Sequence, residues 1–519
     1  MNIKQITFAA LLAATAQAQA QNTYINDRLT ATDQLNGSAR FVGMGGALGA
    51  LGADLSVISS NPAGMGLYRK SDIGMSFGAV IPNGNGWDMN LKSTYGENLS
   101  RASFDQFGGV LSLRTGGSKV KRVKIGFNYQ KKLNFNQGFF ADNDQLGGLS
   151  QMTQLADLVN GGYDTDSNLA GLAAVPYAAE DMADMDEYYL SKGVDDEGRE
   201  YRYNNAVSES NNYTRHQRGA LKAYDLNLAM NINDRVYVGA TLGIDQLDYK
   251  EWNEYAEYAA DGGLNHSLYN DTEIGGVGVS GKFGIIARPF EYSSFRVGLA
   301  VETPTWYRMD NSTLFNLDKS DQLESYLEYT VRTPWKVRVS AGHTVGTTLA
   351  WGVEYEYANY AKTRMGYPAY DVNYPEGSQF RTADWDMAMN ELTRNTLCGQ
   401  HTLRLGVEVN PLKKFAIRAG YNYISSRYNK TVNFDQYSID SRAMDFATNT
   451  EYMRLGDTNI ISAGLGYRGK VVYVDLTYQL RAQHGDFYSF ADIEQGARLQ
   501  PVDVNLNRHQ LMLGVGVKL

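Results

Sequence analysis

Along most of this chain apolar side chains alternate with polar or glycine residues, in about fourteen short runs. The last run is the clearest. In QLMLGVGVKL, Leu511, Leu513, Val515, Val517 and Leu519 fall on one face, and Gln510, Met512, Gly514, Gly516 and Lys518 on the other. A two-residue period sends successive side chains to opposite faces of a strand. One face can then meet lipid while the other lines a polar lumen, as in a transmembrane β-barrel. The pattern predicts strands over residues 72–81, 104–114, 121–134, 219–232, 236–249, 273–287, 294–305, 326–343, 347–360, 400–410, 414–428, 459–468, 471–481 and 507–519. Val123, Ile125, Phe127 and Tyr129 are one predicted outward face; Tyr224, Leu226, Leu228, Met230 and Ile232 are another.

The links between runs set the topology. Those after even-numbered strands are tight, such as Asn233-Asp234-Arg235 and Gly469-Lys470; those after odd-numbered strands are long, the longest spanning about 135–218. Short turns on one side and long loops on the other are expected of an outer-membrane barrel, with the turns periplasmic. Aromatic residues at the strand ends fit two interfacial girdles: Trp252, Trp306, Tyr307, Tyr357, Tyr360 and Tyr428 near the long loops, and Tyr292, Phe295, Phe415, Tyr467 and Tyr473 near the turns.

The amino terminus reads as an export signal. Lys4 is the positive end, 6–14 is apolar, and Ala18-Gln19-Ala20 is an A-x-A cleavage site, so residues 1–20 are expected to be removed. No later stretch has the roughly 18 unbroken apolar residues of a spanning helix. The mean hydropathy of -0.39 suits a barrel, in which half of each strand and all the loops are polar. Fifty-three glycines, 36 tyrosines and ten prolines fit a β-rich chain, and the single Cys398 excludes an internal disulfide. The net charge of -9, with no basic stripe, argues against nucleic-acid binding.

Residues 21–71 do not alternate. They form a glycine-dense, weakly apolar piece that could fold into the lumen as a hatch, leaving 72–519 for the barrel. A nucleotide-loop reading of GMGGALGALGAD fails, because the third glycine of G-x-G-x-x-G would fall on Leu48 and no strand–helix repeat follows. The run from Gly37 to Tyr68, GSARFVGMGGALGALGADLSVISSNPAGMGLY, instead resembles the plug of the FadL/TodX family of outer-membrane hydrophobe transporters, with Asn61-Pro62-Ala63 where that family carries its NPA motif. The resemblance implies an all-β, 14-stranded antiparallel transmembrane barrel with an amino-terminal hatch. It marks Gly43, Gly45, Gly46, Asn61, Pro62, Ala63 and Gly64 as the hatch motif. It further implies passive capture of long-chain fatty acids or other hydrophobes, a lumenal pocket, and a sideways exit past a kinked strand. The chain departs from that pattern in its long segments 135–218 and 361–399, which bear on the ligand, and in ending at Leu519 rather than an aromatic residue. Relatives of the same fold also serve as protein-secretion partners, so a surface interaction role is the alternative.

No catalytic motif is present, and neither an enzyme nor a cofactor is expected. The six histidines are scattered singly, which favours solvated or interfacial side chains over a metal or haem site. Acidic stretches at 180–186 and 195–200 suit solvated loop better than calcium ligation. If the outward faces are right, Lys124, Lys282, Arg296, Lys336, Arg338, Arg404, Arg418 and Arg481 point inward, as do Asp225, Asp245, Glu302, Glu354, Glu408 and Asp475. Such charges either pair across the lumen or leave a cation to hold a ligand carboxylate. In the 135–218 link, Leu149, Met152, Leu155, Leu158 and Val159 recur at helical spacing, read either as a landing groove for ligand or as packing on the barrel mouth. The expected partners are a fatty-acid-like or detergent-like small molecule and the lipid of a Gram-negative outer membrane.

Overall fold

The computed structural model describes residues 19–83, 102–115, 117, 119–152, 193–194, 200–201, 208–317, 322–368, 384–430, 446–490 and 499–519. Fourteen antiparallel strands follow in chain order: β1 (Asp72–Asn83), β2 (Ala102–Arg114), β3 (Val120–Asn134), β4 (Ser210–Ile232), β5 (Val236–Tyr258), β6 (Leu264–Ala287), β7 (Arg296–Glu302 and Trp306–Leu317), β8 (Leu323–Arg332 and Lys336–Val345), β9 (Leu349–Asn359), β10 (Gly399–Leu412), β11 (Phe415–Ile424), β12 (Tyr452–Arg468), β13 (Val472–Tyr488) and β14 (Asn507–Lys518). Each pairs with the next, and β1 pairs with β14 in unbroken register from Asp72↔Lys518 to Asn83↔Asn507. The sheet therefore closes on itself from β1 to β14, so that ladder groups in the closed part of the wall pair with a neighbouring strand rather than with water.

The two-residue alternation survives in the burial. Leu226, Leu228, Ile125, Phe283 and Leu465 are each more than half exposed on the outside, while Asp225, Asp245, Lys124 and Lys282 are buried inside. No helix among the described residues is long and apolar enough to cross a membrane.

Three expectations need correction. Segments 250–272 and 306–325 are not long loops: β5 runs to Tyr258, β6 starts at Leu264, β7 reaches Leu317 and β8 begins at Leu323. There the outward face turns polar, from Gln246 and Asp248 upward in β5, so the apolar half of the alternation disappears although the ladder continues. Second, β7 and β8 each break once, at Thr303-Pro304-Thr305 and Thr333-Pro334-Trp335, opposite each other. Proline has no N–H to give to the ladder. Threonine hydroxyls take over: Gly281 N donates to Thr303 Oγ1 (2.9 Å) and Thr305 N to Thr333 Oγ1 (2.8 Å). Third, Tyr307, Tyr360 and Tyr428 are buried inside the barrel, and Tyr473 turns inward to Asp72 (3.0 Å), so none of the four belongs to a girdle. Trp306, Trp335, Tyr355, Tyr357 and Tyr478 are exposed on the outer face, as are Phe415 and Tyr467 beside the lower turns.

The amino-terminal segment fills the lumen. Helix α1 (Gln19–Thr30) lies uppermost, followed by the short α2 (Ala39–Gly43) and two 3₁₀ turns, Leu55–Ile58 and Pro62–Leu67. Three polar side chains start these turns by accepting from backbone N–H groups that the turn geometry leaves unpaired: Ser38 from Phe41, Asp54 from Ser56, and Asn61 from Ala63. Val42, Leu48, Val57, Ile58 and Met65 are wholly buried and form the plug's apolar heart. The export signal 1–18, the acidic stretches 180–186 and 195–199, and the helical pattern beyond Met152 lie outside the described residues.

Candidate functional site

The plug is seated on a belt of wall glycines. Gly239 of β5, Gly284 of β6, Gly298 of β7, Gly342 of β8, Gly352 of β9, Gly406 of β10, Gly420 of β11 and Gly464 of β12 all face it. Gly342, Gly352, Gly406 and Gly420 are direct neighbours across four strands. A Cβ at Gly239 would lie 2.5 Å from the Pro62 carbonyl; at Gly352, Gly406 or Gly420 it would overlap the Ala47 carbonyl, the Met44 carbonyl or the Gly45 nitrogen. The wall thus touches plug backbone directly, which only residues without side chains allow. This belt was missed in the sequence. Its signal was there, as inward glycines recurring at one level of successive strands.

Each part of the expected hatch motif takes a place in this seat. Gly45 and Gly46 have φ of 59° and 75°, left-handed values that suit glycine. Gly43 rests against Gly464, and Gly64 packs on Gly52 and Val57. Asn61 caps the turn through Ala63 N (3.2 Å) and ties it back by donating to the Gly49 carbonyl (3.0 Å). Pro62 stands at the first position of the turn, where a missing N–H costs nothing.

Lys282, Arg296, Lys336, Arg338, Arg404 and Arg418 are brought together around the plug and each has a partner, whereas Nζ of the buried Lys124 on β3 has no hydrogen-bond partner among the described residues. Lys282 donates to Asp225 (2.6 Å), Arg338 to Glu302 (2.9 Å) and to Glu356, Arg404 to Glu354 (2.9 Å) and Glu356 (3.1 Å), and Arg418 to Glu408 (2.6 Å) and Asp475 (2.7 Å). Lys336 donates to Thr32 Oγ1 (2.6 Å) and Arg296 to the Leu51 carbonyl (3.0 Å), both on the plug. Arg40, from α2, adds a plug-to-wall pair with Glu408 (3.1 Å).

Above the plug lies a different arrangement. A cavity of about 80 Å³ is lined by Arg28, Arg215, Arg427, Arg481 and Arg508, with Asp33, and by the apolar Leu133, Phe135, Phe139, Met453, Leu455 and Leu506. The residues come from α1, the upper ends of β3, β4, β12, β13 and β14, and the links above the wall. The carboxylates nearest these arginines are Glu251 on Arg28 (2.7 Å), Glu451 by Arg215 (3.9 Å), Asp27 on Arg427 (2.6 Å) and Asp33 on Arg427 and Arg481 (3.2 and 3.1 Å). Five guanidinium groups thus meet four carboxylates. Arg508 has only uncharged partners among these contacts, Gln34 Oε1 (3.0 Å) and the Asn134 carbonyl (3.2 Å). Nε of Arg28, Arg215 and Arg481 lacks a hydrogen-bond acceptor. Buried donors of this kind are costly to leave unmet and favour an incoming anion. Below it, sharing Asp33 and Gln34, a second cavity of about 90 Å³ is bounded by Lys132, Glu302, Arg338, Glu354, Glu356 and Arg404.

Above the membrane-facing band, burial and the neighbouring Glu251 push the Glu451 carboxyl up to about 7. Burial also works against ionised Glu251, but Arg28 and Arg215 outweigh it and hold that carboxyl below its ordinary value. For Glu451, an acid whose pKa rises on folding, the protonated form is the stable one. The stability it contributes is complete below the unfolded value and is lost as pH climbs through the folded one. Glu451→Gln keeps an acceptor for the Tyr213 hydroxyl. The melting temperature of the variant relative to the parent is expected to rise from pH 5 to pH 8 in detergent; an unchanging difference would count against the assignment.

Of the histidines, His266 is fully buried, with Nε2 3.1 Å from Gln151 Oε1, whereas His401 and His509 are outside, against Tyr355 and Tyr478 (2.7 Å each). No group of three or more His, Cys, Asp or Glu side chains among the described residues is placed to hold a metal.

No family model and no curated protein matches the chain. Among solved structures it is similar to a Pseudomonas aeruginosa FadL homologue, at 11% identity over 93% of this chain and 98% of that one, with a TM-score of 0.50. It is also similar to the P. putida toluene transporter TodX, at 9% identity over 94% of this chain and 99% of that one, again with a TM-score of 0.50. Closed fourteen-strand wall, lumenal plug and near-complete overlap agree, and the chain has the fold of the FadL and TodX barrels.

Proposed function

We propose that this barrel carries hydrophobic compounds passively across the outer membrane of a Gram-negative bacterium, and that its ligands are acid-headed amphiphiles such as long-chain fatty acids. The observation that carries the finer part is the cavity above the plug, where five arginines and six apolar side chains share one lining. At about 80 Å³ it has room for a carboxylate-sized head but not for a long tail, since one water takes up about 30 Å³ of liquid. The tail would lie along the aromatic and aliphatic side chains that fill the barrel mouth, among them Phe139, Tyr213 and Phe487. The printed names of the two similar structures support a hydrophobe as cargo: one is a FadL homologue, the other a toluene transporter.

Binding then needs no energy source. A ligand that prefers one arrangement of the plug shifts its population, and the gradient does the rest. Titrating detergent-solubilised protein with hexadecanoate, hexadecanol and toluene tests both levels. Hexadecanoate is expected to bind most tightly. Equal binding of acid and alcohol would remove the head-group role, and binding of none of the three would remove hydrophobe transport.

A further inference from the structure

The plug does not meet the wall in the same way all round. Along β5–β12 it rests on the glycine belt, with plug backbone closest at Gly239, Gly352, Gly406 and Gly420. Along β13, β14, β1 and β2 most contacts are made by side chains: Thr477 donates to the Ala39 carbonyl (2.7 Å), Ser76 accepts from Ala39 N (3.2 Å), and Leu55 reaches toward Gly74, while Gly514 of β14 lies against the Ala39 methyl. On this arc lies a cavity of about 400 Å³ at the lower end of the barrel, lined among others by Arg40, Asp54, Tyr68, Asp72, Tyr473 and Lys518. Exposed Arg69 and Lys70 stand at its mouth. Five basic and four acidic side chains line it, so it is polar without a strong sign.

Beside the packed side chains of Leu55, Val110 and Met512, a screen of hydrogen-bonded polar side chains lies between this cavity and the one beside the plug. Gln106 donates to Asn128 Oδ1 (2.8 Å), Gln130 to the Asn36 carbonyl (2.6 Å), and Asn36 to Asp105 Oδ1 (3.0 Å). Gln106 faces the lower cavity and Gln130 the upper one. Rotating such side chains exchanges one set of hydrogen bonds for another, with water or with a polar ligand group, at small net cost. Lifting the plug off the belt, by contrast, would open its whole apolar heart to water.

We infer that this barrel has an axial way out: a polar port between a seated plug and strands β13, β14, β1 and β2, opened by the Gln106–Asn128–Gln130–Asn36 screen and suited to molecules that carry a polar or charged head. The port rests on the transport reading for its cargo, but ions report on it independently. In a Cys398→Ser background, Lys70→Cys or Lys518→Cys puts a thiol at its rim, and Lys413→Cys puts one in the turn below the belt. After reaction with a bulky methanethiosulfonate, residual ion conductance in planar bilayers is expected to vanish for the two rim variants and to persist for Lys413→Cys. Dodecanoate uptake by cells carrying the labelled variants should follow the same order. Undiminished conductance with both rim thiols labelled would overturn the port, as would a block at Lys413→Cys alone. Absence of dodecanoate uptake in the unlabelled protein, with the conductance pattern intact, would instead sink the transport reading and leave the port standing.

Discussion

Replacing Gly406 with valine is expected to unseat the plug while the barrel still assembles, raising ion conductance well above the residual level of the parent. The new Cβ would overlap the carbonyl oxygen of Met44. Because that atom is backbone, it cannot rotate aside, and the plug must move as a body. Overpacking a well-filled interior costs roughly 1–3 kcal/mol even where side chains can adjust. The wall should tolerate the change, since valine is at home in strands and the β9–β10–β11 ladder is untouched. Gly281→Val is the control, because a Cβ there meets nothing nearer than 3.6 Å. Planar-bilayer conductance and tryptic cleavage at Arg40 give the readout. If Gly406→Val is as tight and as protected as Gly281→Val, the belt is not what holds the plug.

Arg508→Gln is expected to weaken binding of hexadecanoate by roughly 10–100-fold, because a hydrogen bond to a charged group is worth about 1.5–3 kcal/mol and each 1.4 kcal/mol is a factor of ten. Arg508 is the informative arginine of the five. Its removal leaves no lining carboxylate stripped of its ion-pair partner, whereas losing Arg427 would strand Asp27. Binding of hexadecanol, which has no charge to meet, should hardly change. Arg508→Lys keeps the charge without the planar fork and should fall between the two. A uniform loss for acid and alcohol would mean that Arg508 only shapes the cavity.

Much of the wall was legible in the sequence because a lipid-facing strand has to repeat every two residues. The lower ends of the strands, at turns such as Asn233-Asp234-Arg235 and Gly469-Lys470, fall within a few residues of their predicted places. Reading failed where that constraint stops. Above the lipid band the outward side of β4, β5 and β6 is polar, so strands of 23, 23 and 24 residues showed only their lower halves. Tyr307, Tyr360 and Tyr428 sat at strand ends like girdle residues, yet each turned inward to pack the mouth. Position along a strand did not reveal which side of a bend an aromatic ring would take.

The candidate site was less legible. Inward cations could be picked out by alternation, but their partners lie on other strands and on the plug, distant in the chain: Arg427 and Asp27 are 400 residues apart. The arginine chamber joins α1 with five strand ends, and no local pattern announces that meeting.

By itself, then, the order of residues determined a two-residue-periodic wall and a glycine-rich segment unable to be part of it, because strand periodicity and backbone freedom are local properties. Only the tertiary structure decided which glycines touch the plug, which charges are already matched and where the polar gap runs. Those are distances between elements far apart in the chain, and they come into being when the cylinder closes around its own amino terminus.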